Sequence, residues 1–491
     1  MTAVSRMSND SVLAIVCPQI GAPSETFIRT HIANLAPSRT VVLTGAILDK
    51  EWFLGPTKIV PIKLGHYCFD DDLDEEVLQF FRVHSVTHIL CEFGCIGGSV
   101  IELNRRTLRL PVYVHFHGQD ASQFLRDSNL VLYYRWIGEQ VDGIIVVSQA
   151  MKARLDSIGL PSSKLKLIHY GINIPEAVSA VPETGPCKFI TAARLVTKKG
   201  ILHVLKAFKL ALSAIPDMRL ELIGEGPLRH EIEQYIGTHG LGASVRMLGQ
   251  QPHRVVLDHL STSNVYVQHS MTDPLTGDSE GLPVSILEAS AYGLPVLSTF
   301  HEGIPEAVEH GITGFLVHEG DVAGMAVYMI ELGKDCGLRK RLGSAGYEKM
   351  KRDGFSAENA IHELRKFIDL SCQVKDQYPD LDSPVENAID TFCLSDVIAQ
   401  KHTNGVFVRL DNGMHISRIL RRLAVDACDD VTIMLEMNPK MMRIAGTSSH
   451  EIISHLHDKG RRLFAIDDIQ SRFYPLDNEL NVSMMESKYE K

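Results

Sequence analysis

The sequence predicts an α/β protein made of two doubly wound units that face a cleft, followed by a small α/β extension at the C-terminus. Three observations predict it. Short β-branched runs alternate with helical periods through the first 170 residues, and a second such series runs from 188 to about 350. Between them EAVSAVPETGP (176–186) breaks the pattern with Pro, Gly and small residues, as a linker does. After residue 372 an acidic, Pro-containing stretch, DQYPDLDSPVENAID, marks a second linker.

The strands of the first series are VLAIVC (12–17), TVVLTG (40–45), THILCEF (87–93), VYVHF (112–116), GIIVVS (143–148) and KLKLIH (164–169). Near-continuous apolar strands with helices between them mean a parallel sheet covered on both faces. The second series is KFITAAR (188–194), MRLELIG (218–224), SVRMLG (244–249), VYVQHS (265–270), PVLST (295–299) and GFLV (314–317). In the tail, GVFVRLDN (405–412) and VTIMLEMNP (431–439) read as strands around a helix at 415–424. The expected boundaries are 1–175 and 186–353 for the two large units, 354–372 for a helix, 373–403 for a linker and 404–491 for the extension. Ligands in such folds sit at the carboxyl ends of the strands, so a cleft between two such units is a natural substrate site.

Composition narrows the function. The 491 residues are 45% hydrophobic and 22% charged, ordinary for a soluble enzyme. A formal net charge of −11 argues against nucleic acid as a general partner. The nine cysteines form no C-x-x-C and no metal-ligand spacing, which reads as reduced thiols in a cytoplasmic protein. No apolar run approaches the ~18 residues of a membrane span. The first apolar run is short and ends at Cys17-Pro18, as a buried strand would and a leader peptide would not.

Chemistry is concentrated in DSEGLPVSILEASAYGLPV (278–296). Pro283 suits the first turn of a helix over 284–292, which carries Glu288 inside it and Glu280 on its approach. The backbone N–H groups of Gly281 and Leu282 fall at the helix N-terminus, a place for phosphate. Each carboxylate can accept from two hydroxyls, so the segment suits a nucleotide sugar. The plainer reading makes Glu280 a helix-dipole partner and Glu288 a surface residue. ITAARLVTKKG adds Arg194 at a strand end and Lys198, Lys199 and Gly200 before a helix, cations suited to a diphosphate that gains charge as it leaves. VYVHFHGQDAS places His115, His117 and Asp120 at a strand end; a third metal ligand of clear spacing is lacking, and a neutral His117 hydrogen-bonding in the cleft is the better reading.

The ordered set PSETFI (23–28), HFHGQD (115–120), VSQAMK (147–152), YGIN (170–173), AARLVTKKG (192–200), GEGP (224–227), EGLPVSILE (280–288) and GIPE (303–306) resembles the retaining nucleotide-sugar glycosyltransferases of family four, with the GT-B fold of two Rossmann-like domains, in their bacterial exopolysaccharide (colanic-acid) form. The resemblance implies an N-terminal acceptor domain, a C-terminal donor domain, and roles for matching residues. Arg194 and Lys199 would hold the donor diphosphate, Glu288 the ribose, and Gly281, Leu282 and Pro283 the turn at the phosphates. Glu280 and His117 would face the transferred sugar as the catalytic pair. Gly21, Ser24 and Glu25 would form the loop at the reaction centre, where this chain lacks the Gly-Gly pair of many relatives. It further implies no cofactor and no metal, a UDP- or GDP-sugar donor, and a polysaccharide or lipid-linked glycan acceptor. Transfer would retain anomeric configuration through a short-lived oxocarbenium-like ion pair rather than a glycosyl-enzyme.

Arg105, Arg106 and Arg109 in IELNRRTLRLP read as a solvated helix face or, in a protein that uses lipid-linked acceptors, as a contact for the cytoplasmic face of the inner membrane. The tail resembles the last third of an FkbM-type methyltransferase at Asp411, Gly413 and Glu436, with Asn412 where an acidic residue is usual and no Gly-rich loop before it. It reads as a truncated remnant or interaction module. The alternatives to a transferase are a non-catalytic polysaccharide-assembly scaffold of the same fold and a GT-B epimerase or phosphorylase. A dinucleotide oxidoreductase is disfavoured, because no G-x-G-x-x-G follows the first strand.

Overall fold

The computed structural model describes residues 11–22, 25–49, 53–62, 71–178 and 185–370, and the strand backbones 405–409, 432–436, 462–467 and 472–475. The chain divides into two compact units, Met1–Asp382 and Ser383–Lys491.

The larger unit holds two parallel sheets. The first contains β1 (Leu13–Cys17), β2 (Thr40–Thr44), β3 (Thr57–Ile59), β4 (His88–Glu92), β5 (Val112–His115), β6 (Gly143–Val146) and β7 (Leu165–Leu167), in the order 3-2-1-4-5-6-7. The second contains β8 (Lys188–Ala192), β9 (Arg219–Ile223), β10 (Val245–Gly249), β11 (Val265–Val267), β12 (Val296–Thr299) and β13 (Gly314–Val317), in the order 10-9-8-11-12-13. Each is therefore an α/β doubly wound sheet. The strand order reverses between β1 and β4 in one and between β8 and β11 in the other, where the flanking loops diverge and open a crevice. Strands β1, β2, β4, β5 and β6 are buried along their whole length, which is why they are legible as apolar runs. Strand β3 was not expected. It is three residues long, lies on the sheet edge and is only partly buried, so Thr57-Lys58-Ile59 carries no apolar signal.

Helix Ala357–Phe367 starts where the Ser356 side chain accepts from the Asn359 N–H. Its buried face and exit, Leu364, Ile368 and Leu370, join the core formed by Leu13, Ile15, Ile28 and Ile32 of the first domain. Phe367 meets Tyr113 edge-on at 5.7 Å. Ser11 Oγ donates to the Leu370 carbonyl (2.9 Å), and the Ile172 N–H donates to the Phe355 carbonyl (2.9 Å). The last segment of the second domain thus completes the core of the first.

The smaller unit contains β14 (Gly405–Arg409), β15 (Thr432–Glu436), β16 (Arg462–Asp467) and β17 (Arg472–Pro475) in that order, the first three parallel and β17 antiparallel. The helix expected at 415–424 and residues Asp411, Asn412 and Gly413 lie outside the described residues.

Candidate active site

At the β8/β11 reversal, the loop after β8 carries Arg194 and then a single 3₁₀ turn, Thr197–Lys199. Gly200 closes the turn at φ +59°, a left-handed conformation, and a Cβ there would overlap the His269 carbonyl. The turn turns both lysines toward residues 278–280. Lys198 Nζ lies 2.9 Å from Asp278 Oδ1 and 3.2 Å from the Ser279 carbonyl. Lys199 Nζ lies 2.9 Å from Glu280 Oε1. Burial pushes the Glu280 carboxyl up, but the Lys199 and Lys198 ammonium groups override it and bring it down to about 2. Burial pushes the Lys199 ammonium down, with Glu280 opposing.

Glu280 is held through its backbone. Its N–H donates to His301 Nε2 (3.2 Å), and His301 Nδ1 lies 2.6 Å from Glu319 Oε1. Since Nε2 accepts, the ring proton sits on Nδ1 and points at the Glu319 carboxylate. Gly281 and Leu282 follow, and the helix runs Val284–Ala291 with Pro283 flanking it rather than inside its first turn. Glu288 is within the helix, and its Oε1 lies 2.6 Å from His253 Nε2. That hydrogen bond raises the His253 pKa against the effect of burial. The Oε1 oxygen of Glu288 is thus taken by His253.

The facing wall comes from the β1/β4 reversal. Glu92, the last residue of β4, is completely buried. Its two oxygens are claimed by histidines: Oε1 by His31 Nδ1 (2.7 Å) and Oε2 by His117 Nε2 (2.8 Å), with His115 Nδ1 3.4 Å away. Burial works to raise the Glu92 carboxyl, but His31 and the imidazole hydrogen bonds hold it well below the usual carboxylate range. Burial drives His115 down to about 3 and lowers His117. His117 Nδ1 meets the Tyr170 hydroxyl at 2.7 Å, and the Phe27 ring lies over the imidazole at 4.3 Å between centroids. Asp120 shapes the turn beneath by accepting from the N–H groups of Gly94, His117 and Gly118. Glu25, before helix Thr26–Asn34, accepts from Gln19 Nε2 (3.2 Å); burial raises its carboxyl, and the charge of Arg194 across the cleft lowers it.

The two walls touch at 117–122 and 279–281. The Ser279 N–H donates to Ser122 Oγ (3.1 Å). A Cβ on Gly281 would overlap the His117 carbonyl and stand 2.8 Å from Val147 Cγ2 and 2.9 Å from Met151 Cε. The Gly281 carbonyl accepts from the Gly303 N–H (3.1 Å). Glu306 accepts from the Gln149 N–H and pairs with His169 Nε2, both at 2.7 Å, while Arg154 pairs with Glu302.

Of the residues singled out in the sequence, Lys199, Glu280 and Gly281 are brought together, Gly281 lies against His117, and Glu25 is within electrostatic reach of Arg194. Glu288, inside helix Val284–Ala291, meets His253, the first residue of helix His253–Ser261. Gly21 takes φ +97° with its backbone against Asp49, and Ser24 lies outside the described residues. His115 and His117 are both buried, and both His117 nitrogens are engaged, by Glu92 and Tyr170. One expectation needs correction. Arg105 pairs with Glu102, and Arg106 with Asp74 and Glu102, so these two serve the helix and its neighbour rather than standing as free cations. From the sequence no role was read for Glu92, His31 or His301, and Tyr170 figured only within YGIN (170–173). His31, Glu92 and His115 offer ligand atoms within 4.8 Å of one another, a spacing that no motif in the chain announces.

Comparison with known proteins names the frame. Residues 79–175 match the Glycosyltransferase Family 4 profile and residues 176–349 the Glycosyl transferases group 1 profile. The chain carries two Rossmann-like domains, each matching one of these profiles. A Salmonella typhimurium protein provisionally named colanic acid biosynthesis glycosyltransferase WcaL is 31% identical over 248 residues, 50% of this chain and 61% of the relative. The amylovoran biosynthesis glycosyltransferase AmsK of Erwinia amylovora is 28% identical over 50% of this chain and 60% of its own length. The chain thus spans about 60% of the length of these curated relatives. Among solved structures, Anabaena HepE, crystallised with UDP and glucose, superposes with a TM-score of 0.60 over 72% of this chain and 99% of its own at 19% identity, a likeness of GT-B fold. Among the described residues no helix is long and apolar enough to cross a membrane.

Proposed function

We propose that this glycosyltransferase moves a hexose from a nucleoside-diphosphate sugar to a polysaccharide or lipid-linked glycan acceptor, with retention of anomeric configuration. The Lys199–Glu280 ion pair at the β8/β11 reversal carries the reading. A diphosphate is a stronger partner for Lys199 and Arg194 than a carboxylate is, so donor binding frees Glu280 for the hydroxyls of the sugar. Gly281 and Leu282 give backbone N–H groups to the phosphates at the start of helix Val284–Ala291, and Glu288 accepts from the ribose. As the glycosidic bond breaks, Arg194 and Lys199 stabilise the leaving diphosphate, which takes the proton of the acceptor hydroxyl. The chain's own cations do this work, so no metal or cofactor is required. The cations also argue against a scaffold, which would have no need of them. The relatives named for exopolysaccharide synthesis support a glycan acceptor. This reading places the protein in the cytoplasm, against the inner membrane face when its acceptor is lipid-linked. The tail serves as an FkbM-like remnant or interaction module, since a methyltransferase would need the Gly-rich loop that the sequence lacks.

The experiment is release of nucleoside diphosphate from UDP-, GDP- and ADP-sugars, with and without EDTA, for the full chain and Glu280→Ala. We expect turnover of one donor, indifferent to EDTA and reduced by more than about tenfold in the variant, the scale of one charged hydrogen bond. Wild-type turnover in folded Glu280→Ala would remove the assignment.

A further inference from the structure

Glu92 is used by nothing in the reaction as described, yet it is completely enclosed, like Asp120 in the same wall. A buried carboxylate is costly unless its lone pairs are met, and here each oxygen meets an imidazole. An ionised carboxylate only accepts, so both nitrogens facing it must carry hydrogen: Nδ1 of His31 and Nε2 of His117. A neutral imidazole has one ring hydrogen, so with Nε2–H turned to Glu92 the His117 Nδ1 is bare. The Tyr170 hydroxyl, 2.7 Å away, is then the donor to Nδ1. Phe27 over one face and Phe93 edge-on at 4.6 Å prevent the ring from turning over. Burial, and after it the charges of Asp120 and Glu92, hold the Tyr170 hydroxyl well above its ordinary value, so it keeps its proton as a donor.

We propose that Glu92 is a positioning residue: clamped by His31, it fixes His117 as the Nε2–H tautomer, so that Nδ1 is an acceptor held by the Tyr170 hydroxyl and exchanged for a hydroxyl of the transferred sugar. This rests on the transferase reading above for its purpose, but not for its geometry. The ring can accept from a sugar hydroxyl and cannot donate to one. Glu92→Gln keeps the shape of the side chain but places a donor and an acceptor where two acceptors stood, so one of the two histidines must reverse its tautomer or lose its bond.

The test uses the full chain labelled with ¹⁵N in the histidine rings, with the His117 signals identified by their loss in His117→Gln. We expect a protonated Nε2 and a bare Nδ1 at neutral pH, and a mixed or reversed tautomer in Glu92→Gln. In donor turnover, Glu92→Gln should lower kcat by about ten- to a hundredfold, the factor for one hydrogen bond to a charged group, with KM within about twofold. The Glu92→Gln/His117→Gln double variant should be no slower than the slower single one. A proton on Nδ1 in the wild type overturns the proposal whether or not any variant folds. So does a wild-type rate in Glu92→Gln, or one equivalent of a transition metal bound by the full chain and lost with Glu92. Loss of turnover in Glu280→Ala beside full turnover in Glu92→Gln sinks the positioning role alone; full turnover in both sinks the assignment of Glu280 as well; a wild type that turns over no donor sinks the transferase reading, and the tautomer measurement then decides the geometry by itself.

Discussion

At the residue scale the cleft is governed by carboxylates matched to cations. Lys199 is paired with Glu280, and its burial already weakens its hold on a proton. Lys199→Ala removes the ammonium and leaves Glu280 with Lys198 alone at a longer reach. We expect donor turnover to fall by more than about tenfold while circular dichroism stays unchanged, one charged hydrogen bond being worth that factor. A folded Lys199→Ala enzyme at full rate would show that the diphosphate is held elsewhere. These residues were legible because each sits beside a local signal: Glu280 before Gly-Leu-Pro, Lys199 before a helix-opening Gly. Glu92 and His31 were not, and Tyr170 was marked only as part of YGIN, without its partner. They come together from β4, from helix Thr26–Asn34 and from the segment after β7, and nothing in C-E-F-G-C says that an acid at a strand end will meet two histidines from elsewhere.

At the scale of elements, the loop 278–283 is held from three sides: by the lysine turn, by His301 and by the first-domain turn at His117. Gly281 is the point where backbone meets backbone. Gly281→Ala forces the new methyl into the His117 carbonyl, and rigid backbone cannot yield as a side chain can. We expect a destabilisation of about 1–3 kcal/mol, the usual cost of overpacking, and a weaker donor KM, read by thermal melting and by initial rates. An unchanged melting temperature would mean that the two turns separate freely. The central strands β1, β2, β4, β5 and β6 were legible as apolar runs because they are buried along their whole length. The half-exposed edge strand β3 was not, since its alternating Thr-Lys-Ile offers too little apolar area to leave a pattern.

For the whole molecule, several buried histidines resist protonation. Burial brings His269 down to about 4 and His115 to about 3, and lowers His88, His117 and His203. Above their ordinary value of about 6.5 both folded and unfolded chains leave them neutral, and they cost nothing. As pH falls below it, the unfolded chain takes up protons that the native one refuses, so stability is lost progressively toward the native values. Glu280, ionised in the native state down to about 2, adds a loss below its ordinary 4.5, while Glu25 and Asp120, raised by burial, act in the opposite sense. The histidines set the balance between pH 6.5 and 4, so the melting temperature should fall steadily over that interval. A flat melting temperature would mean that the native protein takes up protons at these rings as readily as the unfolded chain does. The segment Leu364–Leu370 that closes the first domain's core gives the molecule a direction in time as well as in space. On the ribosome, β1 to β7 emerge complete, yet the apolar patch around Leu13, Ile28 and Ile32 stays bare for roughly 200 further residues, about 10–40 s of synthesis. A nascent first domain must wait for its last piece, and throughout that wait it is the natural client of a chaperone.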